Sequence, residues 1–232
     1  EDGLLDIYIA GYSNDAGEVG VAANPVPYHD ANNGPANLML KGLGEFEFED
    51  VTAAWGLDEN NTRFSLAVAF EDFDNDGDLD LYVANDFGRN NLYRNDRADN
   101  DAAPAFVDVA AATSVEDTSF GMSVAWGDIN RDRRMDIYIS NMFSAAGNRV
   151  TYQRKFAAES GAKDVSELQY LARGNSLFAG QESGAFLDIS EPAGVMNSQW
   201  TFASKFCDVN NDGWPDLLAL NGFLTGPEQG DL

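Results

Sequence analysis

The stretch Asp72-Phe73-Asp74-Asn75-Asp76-Gly77-Asp78-Leu79-Asp80 sets carboxylates at positions 1, 3, 5 and 9 of a short loop and glycine at position 6. Alternate side chains of so tight a loop converge on one point, where like charges stay together only around a hard cation. It reads as a calcium loop. The register returns in Asp128-Ile129-Asn130-Arg131-Asp132-Arg133-Arg134-Met135-Asp136 and in Asp208-Val209-Asn210-Asn211-Asp212-Gly213-Trp214-Pro215-Asp216, and half of it in Asp2-Gly3-Leu4-Leu5-Asp6. Solvated turns also favour Asp, Asn and Gly, but a turn does not need this spacing three times over.

An EF-hand begins with the same aspartates, yet it needs a bidentate Glu at position 12 and a helix on either side. Position 12 here is Val83, Ile139 or Ala219. Each loop is followed by a short apolar run rich in strand formers, such as Leu81-Tyr82-Val83 or Ile137-Tyr138-Ile139. Each is preceded by another apolar run, at 65–71, 123–127 and 203–207, with Phe70, Trp126 or Phe206 two residues before the first carboxylate. The loops therefore join two strands.

Two further strands recur downstream. Asn-x-Leu/Met patterns begin at Asn37, Asn90 and Asn175, and Phe48, Phe106 and Phe186 open a fourth segment that ends in a turn at Gly56-Leu57, Ser114-Val115 or Gly194-Val195. A four-stranded unit recurring about every 55 residues is the pattern of a β-propeller blade, which cannot bury both faces without neighbours. The expected fold is all-β. It comprises a partial blade over 1–56, a blade over 57–115, a blade over 116–195 with an insertion at 143–174, and a partial blade over 196–232. A β-sandwich or a solenoid of calcium hairpins is the alternative architecture, disfavoured because the four strand types keep their order.

A chain of 232 residues that is 44% hydrophobic can bury a core. Its formal charge of −25 repels phosphates over the whole surface, which argues against nucleic acid as a partner. No run of about 18 apolar residues is present to insert in a membrane. The chain opens inside a repeat, so it reads as a fragment of a longer protein, with any targeting signal upstream. Cys207 is the single cysteine and reads as a structural thiol at a strand end.

The Asp-x-Asp/Asn-x-Asp-Gly-x-x-Asp loops resemble the FG-GAP or VCBS repeats of integrin α-subunit propellers. The strings NNLYRND, FVDVAAATSV and KFCDVNNDGWPDLLALNGF are more similar to the ASPIC/UnbV, cartilage-acidic-protein-like family. The resemblance implies a seven-bladed propeller, a secreted, periplasmic or cell-surface location, and one Ca²⁺ per conforming blade. It further implies that positions 1, 3, 5 and 9 supply side-chain oxygens and position 7 a backbone carbonyl. The ligand sets are then Asp72, Asp74, Asp76, Asp78 and Asp80; Asp128, Asn130, Asp132, Arg134 and Asp136; Asp208, Asn210, Asp212, Trp214 and Asp216; and, from the half loop, Asp2 and Asp6. The second set departs from the pattern, since Arg133 replaces glycine and Arg131 and Arg134 crowd the loop.

The insertion at 143–174 would lie on the face opposite the calcium loops. It holds five of the 14 basic residues, Arg149, Arg154, Lys155, Lys163 and Arg173, and a helix is expected over 165–172, capped by Asp164. Its composition fits recognition of an acidic protein segment or an anionic glycan. His29, the only histidine, reads as a solvated side chain beside Asp30, and Asn60-Asn61-Thr62 fits a glycosylation sequon. No nucleophile motif, phosphate loop or paired cysteines occur. The expected function is a calcium-stabilised extracellular binding or adhesion module. The alternative is part of a secreted enzyme, of polysaccharide lyase or phospholipase type, whose active site lies outside this stretch.

Overall fold

A computed structural model describes residues 3–12, 24–97, 103–159, 161–197 and 199–222. Four antiparallel sheets follow one another along the chain. The first holds β1 (Ile7–Ile9), β2 (Leu38–Gly44) and β3 (Glu47–Asp50). The second holds β4 (Ser65–Glu71), β5 (Asp80–Asn85), β6 (Asn91–Asn95) and β7 (Phe106–Asp108). The third holds β8 (Gly121–Gly127), β9 (Asp136–Asn141), β10 (Ser176–Gly180) and β11 (Phe186–Asp188), and the last holds β12 (Thr201–Cys207) and β13 (Asp216–Asn221). Within each sheet, chain neighbours pair with one another. Strands β4, β8 and β12 lie against each other in sequence, as first strands do around a common axis, so the architecture is propeller-like.

The core lies between the sheets. One cluster joins Met39, Val51, Trp55 and Leu57 of the first sheet region to Leu81, Val83, Tyr93 and Phe106 of the second. Another joins Phe73, Tyr82, Leu92 and Val115 to Ile137, Ile139, Phe178 and Phe186. Because both faces of the middle sheets are covered, β5 and β9 are buried at every position and show no inside–outside alternation. The outer sheets differ. Ile7 and Ile9 are exposed in β1, as are Leu218 and Leu220 in β13.

One aromatic contact repeats at each boundary between sheets. Tyr8 meets Phe70 edge-on at 6.5 Å, Tyr82 meets Trp126 at 6.1 Å, and Tyr138 meets Phe206 at 6.4 Å. The aromatic before each acidic loop thus packs on the tyrosine that follows the preceding loop. Strands β4, β8 and β12 also share a bulge at the same place, at Leu66, Met122 and Phe202, which raises local twist.

The asparagines that open the third strands have a physical reason. Asn37, Asn90 and Asn175 each accept, through Oδ1 at 2.7 Å, a backbone N–H at or just beyond the end of the second strand, from Gly11, Asn85 and Asn141 respectively. The three asparagines are buried, and a side-chain amide satisfies a donor that an apolar residue would leave orphaned.

The segment between β9 and β10 is helical, with α1 (Ala145–Thr151), α2 (Arg154–Glu159) and α3 (Ala162–Ala172). A bridge between Phe143 and Arg173 closes its base. The Ser144 hydroxyl caps α1 by accepting from Gly147 N–H. Helix α3 begins earlier than expected, with Gly161 rather than Asp164 at the N-cap, and α1 and α2 were not foreseen. Both are short, and α1 is tied to the end of α3 by Asn148 Nδ2 donating to Ala172 O at 2.6 Å, a contact that periodicity does not reveal.

Candidate metal centre

The three complete acidic loops connect β4 to β5, β8 to β9 and β12 to β13. They share one hydrogen-bond skeleton. The carboxylate at position 1 accepts from the N–H groups of positions 5 and 6: Asp72 from Asp76 and Gly77, Asp128 from Asp132 and Arg133, Asp208 from Asp212 and Gly213, all at 2.8–3.1 Å. Position 5 accepts from the N–H of position 7 in each loop. Position 9 pins the loop to the sheet. Asp80 accepts from Phe73 N–H (3.2 Å) and from Asn95 N–H in β6 (2.8 Å), and Asp136 from Ile129 N–H and from Gly180 N–H in β10, both at 2.9 Å. Asp216 accepts from Val209 N–H at 3.0 Å.

Two left-handed residues wind each loop inward. They are Asn75 and Gly77 (φ 62° and 94°), Arg131 and Arg133 (61° and 70°), and Asn211 and Gly213 (58° and 85°). Glycine at position 6 is the visible half of this device. The left-handed residue at position 4, Asn in two loops and Arg in the other, was the half that sequence reading missed, although Asn tolerates that conformation best after glycine.

Among the described residues, only the first loop gathers three carboxylates tightly. One oxygen each from Asp72, Asp74 and Asp80 lie within 4.8 Å of one another. Burial pushes Asp80 up to about 7, its two backbone donors pull it back, and the charges of Asp74 and Asp76 add to the rise. Asp74 is raised by burial and by Asp76. A divalent ion bound by oxygen would relieve this repulsion, so the donor set fits the calcium expected from the sequence. Asp78, at position 7, turns its side chain away to an ion pair with Arg97.

The third loop offers the same donor types with Gly213 in place, and Asn210 Nδ2 donates to Asp212 Oδ2 at 2.9 Å. The second loop differs in that Arg134 stands against Asp132. Asp132 Oδ1 accepts from Arg134 N–H, and its other oxygen is held by the Arg134 guanidinium, whose Nε donates to Gly180 O at 3.1 Å. Neighbouring loops also touch. The Arg131 guanidinium lies 5.3 Å from the ring centroid of Trp214, and Asn75 Nδ2 donates to Arg133 O at 3.5 Å. In the half loop, Asp6 Oδ1 accepts from Gly42 N–H at 2.9 Å, the bond that Asp80 and Asp136 make to their own third strands. Asp2 lies outside the described residues.

The inserted helices sit at the opposite end of the sheets. Arg149, Arg154 and Lys155 are exposed there. Arg173 does not belong to that patch. It pairs with Asp188 at 2.7 Å and its guanidinium lies 3.7 Å from the Tyr170 ring centroid. Two clefts flank α3. One of about 440 Å³ is lined by Tyr152, Gln169, Tyr170, Arg173, Asp188 and Met196, among others. The other, of about 260 Å³, brings His29 and Asp30 together with Arg89, Lys163 and Glu167. His29 and the insertion, far apart in sequence, thus share one cleft.

Residues 72–139 match the FG-GAP-like repeat family. The match runs from Asp72, the first residue of its loop, through the Asp128 loop into β9, and so covers one complete step from loop to loop. This FG-GAP-like stretch holds the tight carboxylate cluster and the arginine-bearing loop side by side. No curated protein matches the chain.

Proposed function

We propose that the chain is part of a calcium-stabilised, propeller-type binding module of the extracellular space or cell surface. Ca²⁺ in the Asp72 and Asp208 loops, and in the loop to which Asp6 belongs, would clamp strand pairs at one end of the sheets. The inserted helices would carry recognition at the other. The observation that supports this reading most is the separation itself. The acidic loops turn their oxygens inward onto backbone donors, while exposed Arg149, Arg154 and Lys155 stand at the other end of a chain with formal charge −25. FG-GAP repeats typically occur in extracellular or surface proteins. No helix among the described residues is long and apolar enough to cross a membrane. The motif resemblance to the ASPIC/UnbV proteins supports the same setting.

The partner in this reading is an acidic protein segment or an anionic glycan held largely by charge. A variant carrying Arg149→Glu, Arg154→Glu and Lys155→Glu tests it. Retention on immobilised sulfated glycan should fall with the substitutions and with added salt, at an unchanged melting temperature. Unchanged retention would remove the insertion from the reading.

A further inference from the structure

We propose that the loop 128–136 is closed by Arg134 and not by a metal ion, so that the sheet bearing the inserted helices keeps its acidic loop in calcium-free solvent. The inference rests on the reading that the companion loops hold calcium, and it explains why one of three otherwise identical skeletons carries a basic residue at position 7. In the first loop position 7 is Asp78, whose side chain leaves for Arg97, so that the second oxygen of Asp76 has no partner among the hydrogen bonds of its own loop. In the third it is Trp214, and the second oxygen of Asp212 accepts only from a neutral amide, which a cation displaces by rotation of the Asn210 side chain. In the second loop the same oxygen of Asp132 is bound by the Arg134 guanidinium, and that group is fixed from behind by Gly180 O. Gly180 N–H in turn donates to Asp136, so Arg134 and Asp136 grip the same residue of β10 from its two sides. A positive charge therefore already stands where the loop's carboxylates need one, and it comes with the directional donors of a guanidinium.

A second feature sets the loop apart: position 6 is Arg133 at φ 70°, where both other loops use glycine, and among the described residues no ion pair or hydrogen bond occupies its exposed side chain. The consequence is a division of labour along the chain. Calcium depletion loosens the Asp72 and Asp208 loops, whereas β8, β9 and the 143–174 insertion that hangs between β9 and β10 stay in place. Recognition through the insertion is then independent of calcium while the rigidity of the flanking sheets is not.

Hydrogen exchange of the full chain, with calcium and with EGTA, tests this. In the wild type, amides of 72–80 should lose protection by about tenfold or more in EGTA, and those of 128–136 should keep theirs. Arg134→Ser should make 128–136 exchange faster in EGTA and regain protection when calcium is added, because position 7 keeps its carbonyl and the carboxylates are freed for the ion. Arg133→Ser, in the same loop, should do neither. Wild-type 128–136 losing protection in EGTA as fully as 72–80 would overturn the proposal. So would an Arg134→Ser loop as protected in EGTA as the wild type. If 72–80 is indifferent to EGTA, the calcium reading of the companion loops fails, and faster exchange of 128–136 in Arg134→Ser still upholds closure by the arginine.

Discussion

The ring of Trp126 stands edge-on to Tyr82, 6.1 Å between centroids and 89° between planes, and joins the second sheet to the third. The same indole stacks on Phe73 and tilts against Phe186, so one side chain fills the boundary from the loop end inward. Its Nε1 is buried with no acceptor among the described residues. Trp126→Ala should cost about 3–5 kcal/mol in urea unfolding. Trp126→Phe should cost less than half of that, because it keeps an aromatic ring in the boundary while removing the orphaned donor. Equal losses for the two variants would show that a ring kept at this position contributes nothing.

Two residues occupy left-handed positions that sibling repeats give to glycine. Ser114, at φ 62°, matches Gly56 and Gly194, and Arg133 matches Gly77 and Gly213. Both are exposed. Ser114→Gly and Arg133→Gly should each raise stability by up to about 1 kcal/mol, less the added entropy of the unfolded chain. A fall in the melting temperature of either variant would contradict the argument.

A hydroxyl knits the third and fourth strands in two sheets. Thr52 Oγ1 accepts from Met39 N–H at 2.9 Å and donates to Asp50, and Ser190 Oγ accepts from Leu177 N–H at 2.8 Å and donates to Asp188. The second sheet has buried Ala110 at that place, beside Leu92. Ser190→Ala should cost about 1–3 kcal/mol by stranding a buried N–H, and Ala110→Ser should gain about 1 kcal/mol. Chemical denaturation of both variants checks the pair, and a destabilised Ala110→Ser would mean that the site has no room for the oxygen.

Asp188 also sets a pH dependence. Burial pushes its carboxyl up, but hydrogen bonds from Ser190 and the charge of Arg173 outweigh burial and hold it below the ordinary value. A depressed folded pKa contributes stability that is present above the unfolded value of about 3.9 and is lost as pH falls below that value and through the lower folded one. Unfolding midpoints in EGTA should drop as pH falls below about 4, and Asp188→Asn should flatten that drop. Solvent around the half-exposed pair keeps the effect small. An identical pH profile for the variant would remove Asp188 from the account.

Strand positions were legible because each strand is bracketed by residues with one job. The loop aspartates, the opening asparagines and the closing glycines each answer a backbone group that must be satisfied or a φ that must be positive. What the sequence did not disclose are relations between repeats. Nothing in the spelling of 128–136 says that Arg134 turns onto Asp132 while Arg131 reaches out to Trp214, because both are arginines in one charged run and only three-dimensional placement separates them. Arg173 was grouped with the exposed bases for the same reason, and Asp188, which neutralises it, lies 15 residues further on. The inserted helices were partly hidden because α1 and α2 are too short to display a period.

Thermal unfolding of the chain with calcium, with EGTA and with magnesium tests most directly whether calcium holds the Asp72 and Asp208 loops. Binding to the folded state alone stabilises by about 2.7 kcal/mol per site at a hundredfold excess over Kd. The melting temperature should fall clearly in EGTA and recover with Ca²⁺ but much less with Mg²⁺, whose octahedral geometry suits these loops poorly. Asp72→Ala should remove part of that calcium response. A melting temperature that is the same in EGTA and in calcium would contradict the account.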